Sequence, residues 1–425
     1  MKRVLIITYY WPPAGGPGVQ RWLQFVKNFK DFGVEPIVYV PENPHYPLVD
    51  PSFVSEVEDI EIIKHPIKEP YGLAGILSKK KTKRMSSGII TSRKQSAIEK
   101  LMLFVRGNFF IPDARIGWVK PSVEFLKNYI SENPVDVIIT SGPPHSLHLI
   151  GMKLKEQLDV KWITDFRDPW TTIHYHKSLR LTKISEEKHK EFEKKVLSEA
   201  DLIVVTSPTT RMEFAGITKT PIKVITNGYV TSENIYPIVD TLFTISHIGS
   251  LLSERNPKVL WKVLSEIALE DTSFNKNLKL KLAGALSEDI VSSITAYGLA
   301  GNCELLGYVS HAEALELQHN SQVLLLVEID SEDTRSIIPG KLFEYLAAHR
   351  PIIGLGPKGS DIEGILSETK SGCFFNHQEE TLLKKHILEL YTDYLSGSLS
   401  VASKGIEKYS RRELSREMAK LIKSI

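Results

Sequence analysis

The stretch Ser336-Ile337-Ile338-Pro339-Gly340-Lys341-Leu342-Phe343-Glu344-Tyr345-Leu346-Ala347-Ala348 decides how the rest of this chain is read. It follows an apolar run, Val323 to Val327, that reads as a buried strand, and its own Leu342, Tyr345 and Leu346 recur at helical spacing. Strand, tight loop and helix start succeed one another. Pro339 is tolerated at a first helical turn, Gly340 lets a ligand approach the backbone, and the free N–H groups beyond them make an anion site. A phosphate suits such a site. Glu344, about one turn further in, can accept hydrogen bonds from two neighbouring hydroxyls such as a ribose diol. The plain alternative is a helix with a surface glutamate.

Outward from this stretch the second half keeps one rhythm. Phe243 to Ser250 opens a sheet; strands at Leu278–Ala283, Glu304–Leu306 and Val323–Val327 alternate with helical stretches near 287–298 and 310–319, and Pro351–Leu355 adds another strand. That alternation predicts a parallel sheet. In the first half, Arg3–Tyr9 is a strand that runs into Trp11-Pro12-Pro13-Ala14-Gly15-Gly16-Pro17-Gly18, after which Val19, Trp22, Leu23, Val26 and Phe29 follow helical spacing. The glycines are not spaced GxGxxG, and only Glu42 stands near the end of the next strand, Pro36–Val40, so a dinucleotide cofactor is not indicated. Val135–Thr140 is a strand closed by Ser141-Gly142-Pro143-Pro144, and His145 then starts a helix. A neutral imidazole there either bonds a substrate hydroxyl or caps the helix. Asp165, Arg167 and Asp168 stand at the carboxyl end of the strand that begins at Trp162, the end where open α/β sheets bind ligands; mutual ion pairing is the alternative. Asp201–Ser207 is one more strand, and the polar residues 231–240 read as a hinge.

At 425 residues with 42% hydrophobic residues the chain is long enough for two domains, each with a core. A net charge of +2 argues against nucleic acid as a general partner. The two cysteines, Cys303 and Cys373, have neither metal-ligand nor disulfide spacing, which fits a reducing cytoplasm. No run of apolar residues approaches the roughly 20 needed to span a bilayer, and the opening MKRVLIITYYWPP reads as a first strand. Two readings stand for the basic run Lys79–Arg84 and the apolar Leu101–Phe110 beyond it. One is a contact with anionic lipid at the inner face of the plasma membrane, the other a solvated insertion followed by a core helix. Asp330-Ser331-Glu332-Asp333 reads as a solvated loop, so no metal and no other cofactor is expected.

Pro339 to Ala348 followed by Arg350-Pro351-Ile352-Ile353, together with Pro112 to Pro121 and Thr226-Asn227-Gly228-Tyr229, resembles glycosyltransferase family 4 and its relatives. The resemblance implies an α/β fold of two facing Rossmann-like domains with a central cleft. Residues 1–232 would form the acceptor-side domain, with the basic insertion near 75–110, and 241–402 the nucleotide-sugar domain; 403–425 would be a terminal helix crossing back to the first. It implies transfer of a sugar from a nucleotide-sugar donor to a glycan or lipid-linked acceptor in cell-surface polysaccharide synthesis, retaining and metal-independent. Glu344 matches the second of the family's two donor-site glutamates and Ser336 replaces the first. Ser250 and Arg255 fall where the family places the Arg and Lys that hold the diphosphate, which makes Arg255, with Gly340 and Lys341, the stabiliser of the leaving group. Gly15 and Gly16 match the glycine pair beside the acceptor. Asp168 matches the Asp of a His-Asp pair facing the donor sugar, Arg167 stands for its His, and His145 and Asp165 fall beside the same cleft. The same architecture also carries nucleotide-sugar 2-epimerases, and a non-catalytic membrane-surface partner of a polysaccharide assembly complex is the rival from another class.

Overall fold

In the computed structural model, which describes residues 1–69, 97–231 and 237–425, seven strands of the first half form one wholly parallel sheet. They are β1 (Lys2–Ile7), β2 (Val34–Pro41), β3 (Glu61–His65), β4 (Val137–Gly142), β5 (Lys161–Phe166), β6 (Leu202–Val205) and β7 (Ile222–Val224), in the order β3-β2-β1-β4-β5-β6-β7. Parallel strands need crossover helices, which cover both faces, so the central strands are apolar on both sides. Hence Val4 to Ile7 and Val137 to Ile139 are fully buried. The helix Pro17–Phe29 lays Trp22, Leu23, Val26 and Phe29 on one face of the sheet. The last helix, Arg411–Lys423, adds Leu414, Met418 and Ile422 to the same core. Its end is tied down by Lys2 Nζ, which donates to the Ile425 carbonyl at 2.6 Å. Helices Ile116–Glu132 and Ser146–Gln157 cover the other face with Trp118, Leu126, Leu147 and Leu154.

The second half repeats the plan. Strands β8 (Phe243–Ile248), β9 (Leu278–Ala283), β10 (Cys303–Gly307), β11 (Val323–Val327), β12 (Ile352–Leu355) and β13 (Gly372–Phe375) are all parallel, in the order β10-β9-β8-β11-β12-β13. Lys258–Glu270 and Glu380–Leu395 pack on one face, and Gly340–Ala347 and Asp361–Thr369 on the other. In each sheet the strand order reverses beside the first strand, between β1 and β4 and between β8 and β11. The crevice at the carboxyl ends of such a pair is where doubly wound sheets bind ligands.

One compact unit comprises Met1–Thr226 with Arg411–Ile425, the other Asn227–Ser410. The division falls ahead of the polar hinge residues because Tyr229 already belongs to the second unit, its N–H donating to the Tyr409 carbonyl at 3.1 Å. Of the expected hinge, 232–236 lie outside the described residues, as do Lys79–Arg84 and most of the expected insertion.

Candidate active site

In the second unit, burial of Leu342, Phe343, Tyr345 and Leu346 seats the helix Gly340–Ala347 on β8 and β11. The Tyr345 hydroxyl accepts the Ile248 N–H at 2.9 Å, which fixes the helix to the carboxyl end of β8. No side chain caps its N-terminus, and a Cβ at Gly340 would meet nothing within 4 Å. The helix end is thus uncapped with room at Gly340 for an incoming anion, while the Leu342 N–H turns back to the Pro339 carbonyl at 3.0 Å.

Around that terminus four side chains converge. Lys341 Nζ lies over Gly249, the residue after β8, whose φ of +121° no side chain tolerates well and whose Cβ would sit 2.5 Å from the ammonium. Lys341 donates to His247 Nε2 at 3.1 Å, while His247 Nδ1 donates to the Leu325 carbonyl at 2.9 Å. Burial, reinforced by the Lys341 charge, holds that imidazole well below its ordinary pKa and therefore neutral. Glu328, directly after β11, is buried and accepts from Arg255 Nη2 at 3.1 Å. Burial pushes its carboxyl up, against the pull of Arg255. Burial pulls the Lys341 ammonium down to about 8, with Glu328 opposing and Arg255 assisting. Arg255 Nε is buried and has no hydrogen-bond partner among the described residues. Two cations, one carboxylate and an uncapped helix end make this switch point electropositive, suited to a diphosphate. Further along the helix, the Glu344 carboxylate meets His311 Nε2 at 3.2 Å and Gln318 Nε2 at 3.0 Å. Ser250 is exposed and Ser336 half-buried beside the same elements.

The first unit is built differently. Asp165 is no cleft residue: its side chain and that of Arg21 are both 0% exposed and meet at 2.8 Å. Trp22 Nε1 and the Ser141 hydroxyl also donate to it, at 2.9 and 2.8 Å. Burial alone would raise its pKa, but the Arg21 guanidinium, the Ser141 hydroxyl and the Arg167 charge together outweigh that and keep it ionised below the usual carboxylate range. It is a structural lock between β5 and the helix Pro17–Phe29. Arg167 reaches from the end of β5 across β4, donating to the carbonyls of Gly142 and Pro143. It stacks over the Tyr10 ring at 5.6 Å and packs its tip against Gly18. Asp168 follows it, partly buried. Gly15 donates its N–H to the Leu48 carbonyl at 3.0 Å, and Gly16, at φ +96°, turns the chain into the helix.

His145 precedes the helix Ser146–Gln157 as expected, but burial, more than the helix end, sets its state. It stacks on Trp170 at 4.9 Å, and neither ring nitrogen has a hydrogen-bond partner among the described residues. Burial first, and the nearby His148 and Arg167 next, lower its pKa well below the ordinary value. The Pro112–Pro121 segment turns out to position this corner. Asp113 accepts the Ser146 N–H at 2.9 Å and so caps the helix, while Arg115 pairs with buried Glu69 at 3.0 Å.

Sequence reasoning missed Glu328, His247 and Arg21. Glu328 carried a signal, a charge placed directly after a fully apolar strand. So did Arg21, one helical turn before buried Phe25 on the helix's inner face. Among the described residues no three His, Cys, Asp or Glu side chains are grouped to hold a metal ion.

Comparison with known proteins agrees with this architecture. The profile of a family described as Glycosyltransferase Family 4 matches residues 88–233, and that of Glycosyl transferases group 1 matches 243–393. A glycosyltransferase from Rickettsia africae ESF-5 aligns with 100% of this chain and 98% of its own, at 14% identity and a TM-score of 0.62. The lipopolysaccharide outer core galactosyltransferase WaaB aligns over 100% and 99%, at 13% identity and 0.58. A putative UDP-N-acetylglucosamine 2-epimerase from Listeria monocytogenes aligns over 100% and 96%, at 12% identity and 0.56. At such identities the likeness speaks for the two-domain fold. None of the curated proteins matches significantly in sequence.

Proposed function

The chain belongs to the glycosyltransferase family 4-like proteins, and from that premise we propose that it moves a sugar from a nucleotide-sugar donor to a glycan or lipid-linked acceptor, retaining and metal-independent, in cell-surface polysaccharide synthesis. The observation that carries the donor half is the convergence of Arg255, Lys341 and the uncapped N-terminus at Gly340 on the switch point of the second unit. In the proposed step the anomeric C–O bond to the diphosphate breaks and its electron pair leaves on the phosphate oxygen, whose charge Arg255 and the helix end meet. The acceptor oxygen attacks the same face and its proton leaves with the diphosphate. A double displacement needs a free carboxylate nucleophile with a second carboxyl group nearby. Asp165, Glu328 and Glu344 are each already engaged by partners, which favours the direct route. Glu344 takes the ribose hydroxyls, Ser250 and Ser336 line the donor, Arg167 and Asp168 hold sugar hydroxyls, and Gly15, Gly16 and neutral His145 border the acceptor.

A cytoplasmic protein lying on anionic lipid suits a lipid-linked acceptor. The helix Ala97–Phe109 exposes Leu101 (62%), Phe104, Val105 and Phe109 (71%) at helical spacing, and no helix among the described residues is long and apolar enough to cross a membrane.

The test is release of nucleoside diphosphate from a panel of nucleotide sugars, with and without glycan and lipid-linked acceptors. Acceptor-stimulated release is expected. Release without acceptor, with an altered sugar, would make the chain a 2-epimerase, and no release from any donor would make it a scaffold.

A further inference from the structure

Glu328 has no part in the step just described, yet it occupies the middle of the donor-side cluster. Its carboxylate is 4% exposed, lies at the carboxyl end of β11, and is held by Arg255 at 3.1 Å. Every charged neighbour that faces it comes from an element lining the switch point. Arg255 stands in the loop after β8 and Lys341 in the first turn of the helix after β11; His247 and Glu344 lie beyond Lys341. At the end of β12 the Leu355 carbonyl receives the Glu328 N–H at 2.8 Å and Gly356 packs on its Cβ. A carboxylate so deeply buried, with one guanidinium and the Ile329 N–H on it, is costly to keep charged. A diphosphate arriving at the same two cations would crowd a third negative charge into that volume, and like charges at such range cannot all persist.

We propose that Glu328 is a resident counter-anion: it offsets part of the positive charge of Arg255 and Lys341 until the donor arrives, and the diphosphate then takes over both cations while Glu328 accepts a proton from solvent. The proposal rests on the reading of Arg255 and Lys341 as the diphosphate-binding cations. One proton moves from water to a Glu328 oxygen, and no covalent bond of the donor is touched. Burial already pushes the carboxyl up in the free protein, the same direction in which an arriving diphosphate would drive it. Lys341, drawn down to about 8, is partly deprotonated near neutral pH, so its own proton uptake has to be separated from that of Glu328. The consequence is donor binding linked to pH. Below the pKa that Glu328 has in the complex and above the one it has in the free protein, affinity falls as pH rises, tenfold per unit at most. After transfer, loss of the proton would return the carboxylate to Arg255 and help expel the nucleoside diphosphate.

Calorimetric titration of the full chain with UDP, GDP and inorganic pyrophosphate, at about pH 7.5 in two buffers of different ionisation enthalpy, counts the protons taken up. The ligand's own ionisation is common to wild type and Glu328→Gln, and because Glu328 also holds the Lys341 ammonium up, the same comparison in a Lys341→Arg background, where residue 341 cannot titrate, isolates Glu328. Wild type is expected to take up about one proton more per bound probe than the variant, which binds about tenfold tighter because nothing has to be neutralised first. A merely structural Glu328 gives the opposite: weaker binding in the variant and an unchanged proton count. Binding with equal proton counts overturns this proposal alone. If none of the three probes binds wild type, the donor-site reading falls and takes this one with it.

Discussion

Both units of this protein seat the tip of a cation on a glycine at the start of their switch point, and they use the arrangement for different ends. In the first, Arg167 packs on Gly18 and is held by two backbone carbonyls, while the carboxylate of the region, Asp165, is wholly consumed by Arg21, Trp22 and Ser141. In the second, Lys341 packs on Gly249, a neutral histidine holds it, and the nearby carboxylate engages Arg255 through one contact beside an uncapped helix end. One topology thus yields a switch point whose charges are closed on themselves and another whose positive charge is kept available. The first suits neutral, hydroxyl-rich groups and the second a diphosphate.

The sharpest way to break the comparison is to remove each carboxylate. Asp165→Ala leaves Arg21 buried with no counter-charge, and losing one partner of a buried pair costs about 3–5 kcal/mol. Trp11, Trp22, Trp118, Trp162 and Trp170 lie in the first unit and Trp261 alone in the second, so urea unfolding followed by tryptophan fluorescence reports mainly the first. Its midpoint should drop steeply. A loss below about 1 kcal/mol, the range of an exposed pair, would mean that Asp165 is no lock.

The second unit is expected to answer in kinetics. Arg255→Ala should lower turnover by about a hundred- to a thousandfold, the usual cost of losing a donor aimed at developing charge, with a much smaller change in donor KM. A large rise in KM at constant kcat would reduce Arg255 to a uniform binding contact. Glu344→Ala removes a charged acceptor for two ribose hydroxyls, each bond contributing about 1.5–3 kcal/mol, so nucleotide-sugar binding should weaken by at least about tenfold. Calorimetry that found affinity within about twofold of wild type would take Glu344 out of the site.

How far these roles were legible before the structure follows from the physics of each element. Central strands such as Val4–Ile7 and Val323–Val327 announce themselves because a doubly covered sheet demands unbroken apolar runs. The edge strands β3 and β13 carry Glu61 and Lys64, or only four residues, and left no comparable signal. The helix start that carries Gly340, Lys341 and Glu344 was legible because it is local: a loop and one helix turn hold all three. Asp165 was placed wrongly, since its partner Arg21 is far away in sequence and a charge at a strand end looks the same whether it faces a ligand or a buried guanidinium. Long-range pairing is what periodicity cannot see.

The smallest expected effect tests the likeness between the units most directly. Gly18 lies inside the helix Pro17–Phe29, and in a helix Ala is favoured over Gly by about 0.8–1.0 kcal/mol. The three atoms nearest its added Cβ belong to the flexible end of Arg167. Gly18→Ala should therefore leave stability within about 1 kcal/mol of wild type while pushing the guanidinium off its seat. Gly249→Ala differs, because φ +121° adds backbone strain of about 1–3 kcal/mol to the displacement of Lys341. If Arg167 holds a sugar hydroxyl, Gly18→Ala should cut turnover by roughly three- to tenfold at nearly unchanged melting temperature, part of the value of one charge-assisted hydrogen bond because the guanidinium is shifted rather than removed. Undiminished activity in a folded variant would mean that Arg167 serves only to tie β4 to β5, and that the positive charge that matters in this protein resides in its second unit.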